Sequence, residues 1–155
     1  MDKIDPLNQV AVFHRTFGHP VEAKPLIPSE KRCDLRVSLL TEELDELKEA
    51  IADKNLVEIA DALADIQYVL AGAILEFGLG EKFRTVFDEV QRSNMSKACK
   101  TEEEATATVA YYKKEKKTEA YYKEVNGLWL VYRKGDDKTL KSIKYSPADL
   151  KSILS

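Results

Sequence analysis

At 155 residues, with 44% hydrophobic and 33% charged side chains, the chain is long enough for one domain, or one domain with an appendage, and too apolar to be disordered. A formal net charge of −3, with no cluster of Arg and Lys interleaved with aromatics near its acidic segments, excludes general nucleic-acid binding through a basic face. No stretch approaches about 20 uninterrupted apolar residues and residues 1–6 hold no signal-peptide run, so no membrane contact and a cytoplasmic location are expected.

Asp5-Pro6 reads as an N-cap followed by a first-turn proline, which predicts a helix over residues 6–17 closed by Gly18, with Val10, Phe13 and Phe17 as its packing face. His14, a lone histidine on a short helix, reads as structural before it reads as a nucleotide contact. Pro20, Pro25 and Pro28 rule out regular structure over 19–29 and predict a covering loop. Cys33 and Cys99 are far apart, without CxxC or nearby His spacing, and read as reduced thiols with no metal role.

The next helix begins near Glu30 and carries an apolar series at Leu40, Leu44, Leu47 and Ile51. At about 100° per residue, Glu43 and Glu46 flank Leu47 at the edge of this stripe and are expected to face inward, while Glu42 and Glu49 lie further toward solvent. Asp53-Lys54-Asn55 breaks the pattern over the short length that joins antiparallel neighbours. A helix over residues 56–77 follows, apolar nearly all round through Ile59, Leu63, Ile66, Val69, Leu70 and Ile74, which is the pattern of a buried core helix.

That helix also carries Glu58, Asp61 and Asp65, within about 60° of one another in projection. Carboxylates are seldom buried unpaired, and Glu43 and Glu46 from the neighbouring helix would add repulsion unless a cation sat among them. Magnesium suits such an oxygen-only donor set, with manganese as the alternative. An isolated EExxE is ordinarily a solvated face, but acids at i, i+3 and i+7 inside an apolar helix are rarer, and the short turn joining the two halves favours a metal site.

Gly80-Glu81 opens a fourth helix with Phe83, Val86, Phe87 and Val90 as its apolar face, completing a bundle core. Thr101-Glu102-Glu103-Glu104 reads as a capping box starting a helix through about residue 114, and residues 113–117 as a solvated basic run. Strands over 119–125 and 128–133 alternate around Asn126-Gly127, and Gly135-Asp136-Asp137 turns toward a third short strand at 139–143. Ser146-Pro147-Ala148-Asp149 predicts a last short helix with Ser146 as N-cap, a first-turn proline and an acid near the N-terminus. Composition divides the chain into a helical core over 1–100 and an appendage over 101–155.

Glu42-Glu43-Leu44-Asp45-Glu46, followed by acids on the next helix, resembles the EExxE and ExxD signature of the MazG-like all-α nucleoside triphosphate pyrophosphohydrolases. Glu58-Ile59-Ala60-Asp61 fits ExxD literally, whereas the run from Asp61 to Val69 is similar to the family's D-E-L-A-D-V-L-Y-V, with Ala62 where the glutamate would be. The second alignment also places Gly72, Phe77 and Gly78 as relatives have them, with Asp61 as the substitute for the missing ligand, and either Glu58 or Asp61 remains open as that ligand. Glu89-Val90-Gln91-Arg92-Ser93-Asn94-Met95-Ser96-Lys97 resembles the E-V-H-R-S-N-M-S-K run of one branch, in which the asparagine and lysine meet the nucleotide's phosphates. The segment from Lys141 through Tyr145 to Leu150 looks like the K-x-x-x-Y-x-P-x-D-L tail of the same branch. Read without the resemblance, these two runs would be an ordinary polar helix end and a strand end before a capped helix.

The resemblance covers residues 10–100 and the tail, and leaves 101–138 outside it. It implies a mainly α fold, an antiparallel helical bundle of the all-α pyrophosphohydrolase type with a small C-terminal antiparallel β appendage. It further implies magnesium-dependent hydrolysis of a nucleoside triphosphate, dUTP or a non-standard one, to the monophosphate and pyrophosphate. Glu42 and Glu43 would be catalytic, Glu43, Glu46, Glu58, Asp61 and Asp65 would hold metal, and Asn94, Lys97, Lys141 and Tyr145 would bind substrate. The loop over 19–29, with Lys24, would lie near the pocket, and a homodimer or higher homo-oligomer would complete the site. Ala62 keeps a second reading open, a non-catalytic helical module whose acids bind a structural ion or a basic partner.

Overall fold

A computed structural model describes residues 4–155, so the first three residues of the amino-terminal segment read above lie outside the described residues. The described chain is mainly helical, with six helices and a two-stranded antiparallel sheet, and forms two compact units, Met1–Arg84 and Thr85–Ser155. The compositional shift near residue 100 falls inside the second unit.

In the first unit, α1 (Pro6–Phe17) is capped as its sequence demands: the Asp5 side chain accepts from the Asn8 backbone N–H at 3.3 Å, and Gly18 closes the helix at φ 71°. The longer α2 (Glu30–Ala52) and α3 (Leu56–Glu76) form an antiparallel pair, joined by the tripeptide in which Lys54 takes φ 54° and the Asn55 side chain accepts from the N–H groups of Val57 and Glu58. Helix α3 packs against both α1 and α2, and Val10, Ala11, Ala71 and Leu75, with Leu7 and Val21 beside them, make the apolar core.

The expectation that α3 is buried all round is corrected. Leu56, Val57, Leu63 and Leu70 are 77%, 74%, 52% and 39% exposed, and burial concentrates in Ala62 and residues 71–76. Within this unit only two helices cover α3, and its apolar circumference exceeds what two neighbours reach.

Residues 19–29 are irregular, as the three prolines require, yet they are fastened to the end of α3. The Glu22 N–H donates to the Leu75 carbonyl at 3.0 Å and the Leu26 N–H to the Phe77 carbonyl at 3.1 Å. Gly78, at φ 66°, closes α3 where the Lys24 carbonyl comes so near that a Cβ would lie 1.9 Å from its oxygen.

The second unit holds nearly all of α4 (Phe83–Met95), whose first turn starts two residues later than Gly80-Glu81 suggested. Thr101 caps α5 (Glu102–Lys116) by accepting from the Glu104 N–H at 3.2 Å. Strands β1 (Ala120–Val125) and β2 (Leu128–Arg133) pair antiparallel with Val125 opposite Leu128, and Asn126 and Gly127, at φ 52° and 79°, make the mirror-image turn that suits strand twist. The sheet packs on α5 around Cys99, Ala105, Ala120, Val131 and Leu140. Trp129 exchanges backbone hydrogen bonds with Cys99 at 2.8 and 2.9 Å and meets the Tyr122 ring edge-on. Both cysteines are unbridged.

Two expectations for the carboxyl-terminal end are corrected. The third strand shrinks to a single bridge between Tyr132 and Thr139, because beyond Leu140, whose N–H still donates to the Val131 carbonyl at 2.8 Å, the backbone donors turn elsewhere: the Ser142 N–H to the Lys97 carbonyl at 3.0 Å and the Ile143 N–H to the Thr108 hydroxyl at 3.2 Å. The last helix, α6 (Leu150–Leu154), is capped by Asp149 rather than by Ser146. The Ser146 N–H is already given to the Ser96 hydroxyl at 2.9 Å, and the Pro147 carbonyl accepts from Arg92 at 3.0 Å.

Candidate active site

Helix α2 supplies Glu42, Glu43 and Glu46, and α3 supplies Asp61 and Asp65 one turn apart. Glu43 is half-buried, while Glu42, Glu46, Glu58, Asp61 and Asp65 are exposed, so the expected inward pair reduces to Glu43 with Glu46 at its rim. The physical reason is that Leu44 and Ile51, on the same helix, are themselves 46% and 56% exposed, so the stripe marking the inward face is only partly covered.

Burial pushes the Glu43 carboxyl above its ordinary range, and Asp65, Glu46, Glu42 and Asp61 push it further, in that order. Five carboxylates from two helices are thus brought within electrostatic reach of one another. Glu58 is not among the four that weigh on Glu43, and its own backbone N–H is spent on the Asn55 cap. Ala62, where the second alignment would put the family's glutamate, is buried, at 3% exposed.

Among the described residues none of these carboxylates makes an ion pair; the neighbouring Asp45 pairs with Lys48 at 2.8 Å on another face. Only the donor chemistry of these unpaired, oxygen-only side chains is that of a site for a hard divalent cation. As placed, no group of three or more His, Cys, Asp or Glu side chains among the described residues stands close enough together to hold a metal ion.

What holds the two helices in register is a buried network that sequence reasoning missed. Glu76 on α3 is 1% exposed, and its carboxylate accepts from Arg32 Nε at 2.9 Å and from the guanidinium groups of both Arg32 and Arg36 on α2. Burial alone would raise the Glu76 carboxyl, but the two arginines outweigh it and hold it below the usual range. His14 closes the arrangement, buried, with Nδ1 donating to the Pro20 carbonyl at 2.8 Å, and burial lowers its pKa. Gly72 leaves the space that His14 and Arg36 use, since a Cβ there would stand 2.9 Å from Arg36 Nη1 and from His14 Nε2. The available signal was a lone glutamate in an apolar run and two arginines four residues apart.

In the second unit, the four residues expected to meet substrate are gathered. Lys97 Nζ donates to Asn94 Oδ1 at 2.9 Å, the Lys97 carbonyl holds the Ser142 N–H, and Lys141 Nζ lies 4.3 Å over the Tyr145 ring. The Tyr145 hydroxyl is 3.0 Å from the Ser93 hydroxyl. Arg92 is committed to Glu89, to Ser146 and to the Pro147 carbonyl, and Glu89 is driven down to about 2 by the Arg92 hydrogen bonds. A second missed residue, Glu104, is 6% exposed and accepts from the Ser142 hydroxyl and the Lys100 N–H. Lys24 contributes its carbonyl to the close approach at Gly78.

The mainly helical fold with its small carboxyl-terminal sheet is consistent with that of the all-helical pyrophosphohydrolases. The chain belongs to the phosphoribosyl-ATP pyrophosphohydrolase family, whose pattern matches residues 10–94. It is also similar, at 32% identity over 100 residues, to an uncharacterized protein of Acanthamoeba polyphaga mimivirus. That alignment takes in 62% of this chain and 40% of the viral protein, so the chain spans less than half the length of that relative. Membership supports hydrolysis of a nucleotide with release of pyrophosphate, and no helix among the described residues is long and apolar enough to cross a membrane.

Proposed function

We propose that the chain is a magnesium-dependent nucleoside triphosphate pyrophosphohydrolase that cleaves between the α and β phosphates, with dUTP or a non-standard triphosphate as substrate. The observation that carries this reading is the unpaired carboxylate cluster around Glu43. Glu46, Asp61 and Asp65, with Glu43 and with Glu58 as the alternative to Asp61, would hold the ion. When bound there, magnesium supplies neutralisation of phosphate oxygens and a more acidic water. Glu42 or Glu43 would orient or deprotonate the attacking water. Lys97, steadied by Asn94, and Lys141, steadied by Tyr145, bring positive charge to the phosphate chain. A second copy of the chain would complete the assembly.

Pyrophosphate release measured over a panel of dUTP, the common triphosphates and phosphoribosyl-ATP, with magnesium, manganese or EDTA, tests the reading. Release with the metal and none with EDTA is expected. A folded protein that releases pyrophosphate from none of them refutes it. If magnesium nevertheless raised the melting temperature of that inactive protein, the reading left would be a helical metal-binding module, which Ala62 at the glutamate position favours.

A further inference from the structure

Outside the family match, the second unit carries a cleft of about 420 Å³ between the end of α5 and the segment after residue 140. Tyr111, Tyr112 and Lys116 line it from α5, and Lys141 and Tyr145 from the opposite wall. Its size falls in the range of small-molecule sites, roughly 300–1,000 Å³. The lining holds three aromatic rings, two ammonium groups and no carboxylate. Among the described residues neither Lys116 nor Lys141 has a carboxylate partner, and Lys141 Nζ is instead held over the Tyr145 ring.

The walls are fixed. The Tyr112 hydroxyl accepts from the Lys141 N–H at 3.1 Å, tying the two sides of the cleft together, and the Tyr111 and Tyr112 rings meet edge to face at 5.5 Å. Ser142, 4% exposed, is anchored behind the cleft by Glu104. Lys116 ends α5 beside Lys113, Lys114 and Lys117, so the cleft opens onto a basic run. Charge is divided unevenly along the chain: residues 1–84 hold 16 acidic and 10 basic side chains, and residues 85–155 hold 11 acidic and 14 basic ones. The formal balance is therefore −6 for the first unit and +3 for the second.

A platform of tyrosines accepts a planar base, and paired ammonium groups accept a phosphate; a ligand carrying both is a nucleotide. We infer that this cleft binds the nucleoside monophosphate portion of a nucleotide, the base against Tyr111 and Tyr112 and the phosphate between Lys116 and Lys141. The binding needs no divalent cation, because the ligand's charge is met by lysine. It extends the role proposed above for Lys141 and Tyr145, and gives the appendage, which the family pattern does not reach, a part in choosing the nucleotide.

The experiment is calorimetric titration of the full chain in EDTA with AMP, with UMP and with inorganic phosphate, for the wild type, Tyr111→Ala and Lys116→Ala. Both side chains are exposed, Tyr111 by 41%, so the variants should melt with the wild type. Expected are binding of both nucleotides, weaker binding of phosphate, and a loss of about tenfold in each variant. Phosphate binding should fall only in Lys116→Ala. Wild-type protein that binds neither nucleotide overturns the inference, as do two folded variants that bind like the wild type. An oligonucleotide held far more tightly than AMP or UMP overturns it in favour of a nucleic-acid surface. Metal-free binding that persists in a protein unable to release pyrophosphate supports the cleft while refuting the hydrolytic reading, so the two fail separately.

Discussion

Glu43 is where the chemistry of the first unit is most exposed to test. Its carboxyl is raised by burial and by four neighbouring acids, so in the metal-free chain its ionisation works against folding. A group with a raised folded pKa contributes stability that is intact below its unfolded value and lost as pH rises through the folded one. Glu46→Gln and Asp65→Asn should each relieve this repulsion and leave the metal-free protein as stable as the wild type or more so, while abolishing pyrophosphate release. Melting with and without magnesium checks it: the wild type should gain stability with the ion, and the variants much less. Variants that gain as much as the wild type and still turn over would remove both residues from the site. Glu76 obeys the opposite sign. Its pKa is lowered, so its contribution is present above the ordinary glutamate value and lost as pH falls through the folded one. Glu76→Gln leaves Arg36 buried beside an uncharged partner, and a loss of about 3–5 kcal/mol is expected from urea unfolding. His14, also lowered, adds to the acid sensitivity, beginning below its ordinary value of 6.5.

At the scale of elements, the closure of α3 is the most demanding backbone feature. Gly78→Ala meets both a left-handed φ of 66° and the Lys24 carbonyl, whereas Gly18→Ala meets a similar φ of 71° with nothing within 4 Å. The Gly18 substitution should cost about 1–2 kcal/mol, the conformational term alone, and the Gly78 substitution clearly more; equal losses would show that the 19–29 loop yields freely. Two helix starts were legible because they are written in side chains: Asp5 and Thr101 each cap the helix they precede, while Asn55, read only as part of a polar break, caps α3 as well. Asn126-Gly127 announced the hairpin for the same reason, since both residues tolerate positive φ. The third strand was misread because alternation records which residues suit a sheet, and the donors of Ser142 and Ile143 were captured by Lys97 and Thr108, partners far away in sequence. EExxE could be read locally, whereas Glu76 acquires its meaning only from arginines 40 and 44 residues away.

For the molecule as a whole, helix-dominated circular dichroism is expected. Phe17, Val37, Leu44, Leu63 and Leu70 are exposed in the first unit, apolar side chains that self-association would cover. Sedimentation should therefore find a homodimer or larger assembly, and a monomer at tens of micromolar would count against self-association. Trp129, wedged between Cys99 and Tyr122, is the chain's single tryptophan and lies in the second unit. Light at 295 nm thus addresses that unit alone, while far-ultraviolet ellipticity is weighted toward the first, which holds the two longest helices, α2 and α3. The protein carries its own two-colour optical label: superimposable denaturation curves from the two signals would mean that the two units melt as one cooperative body, and separated curves that each keeps a melting point of its own.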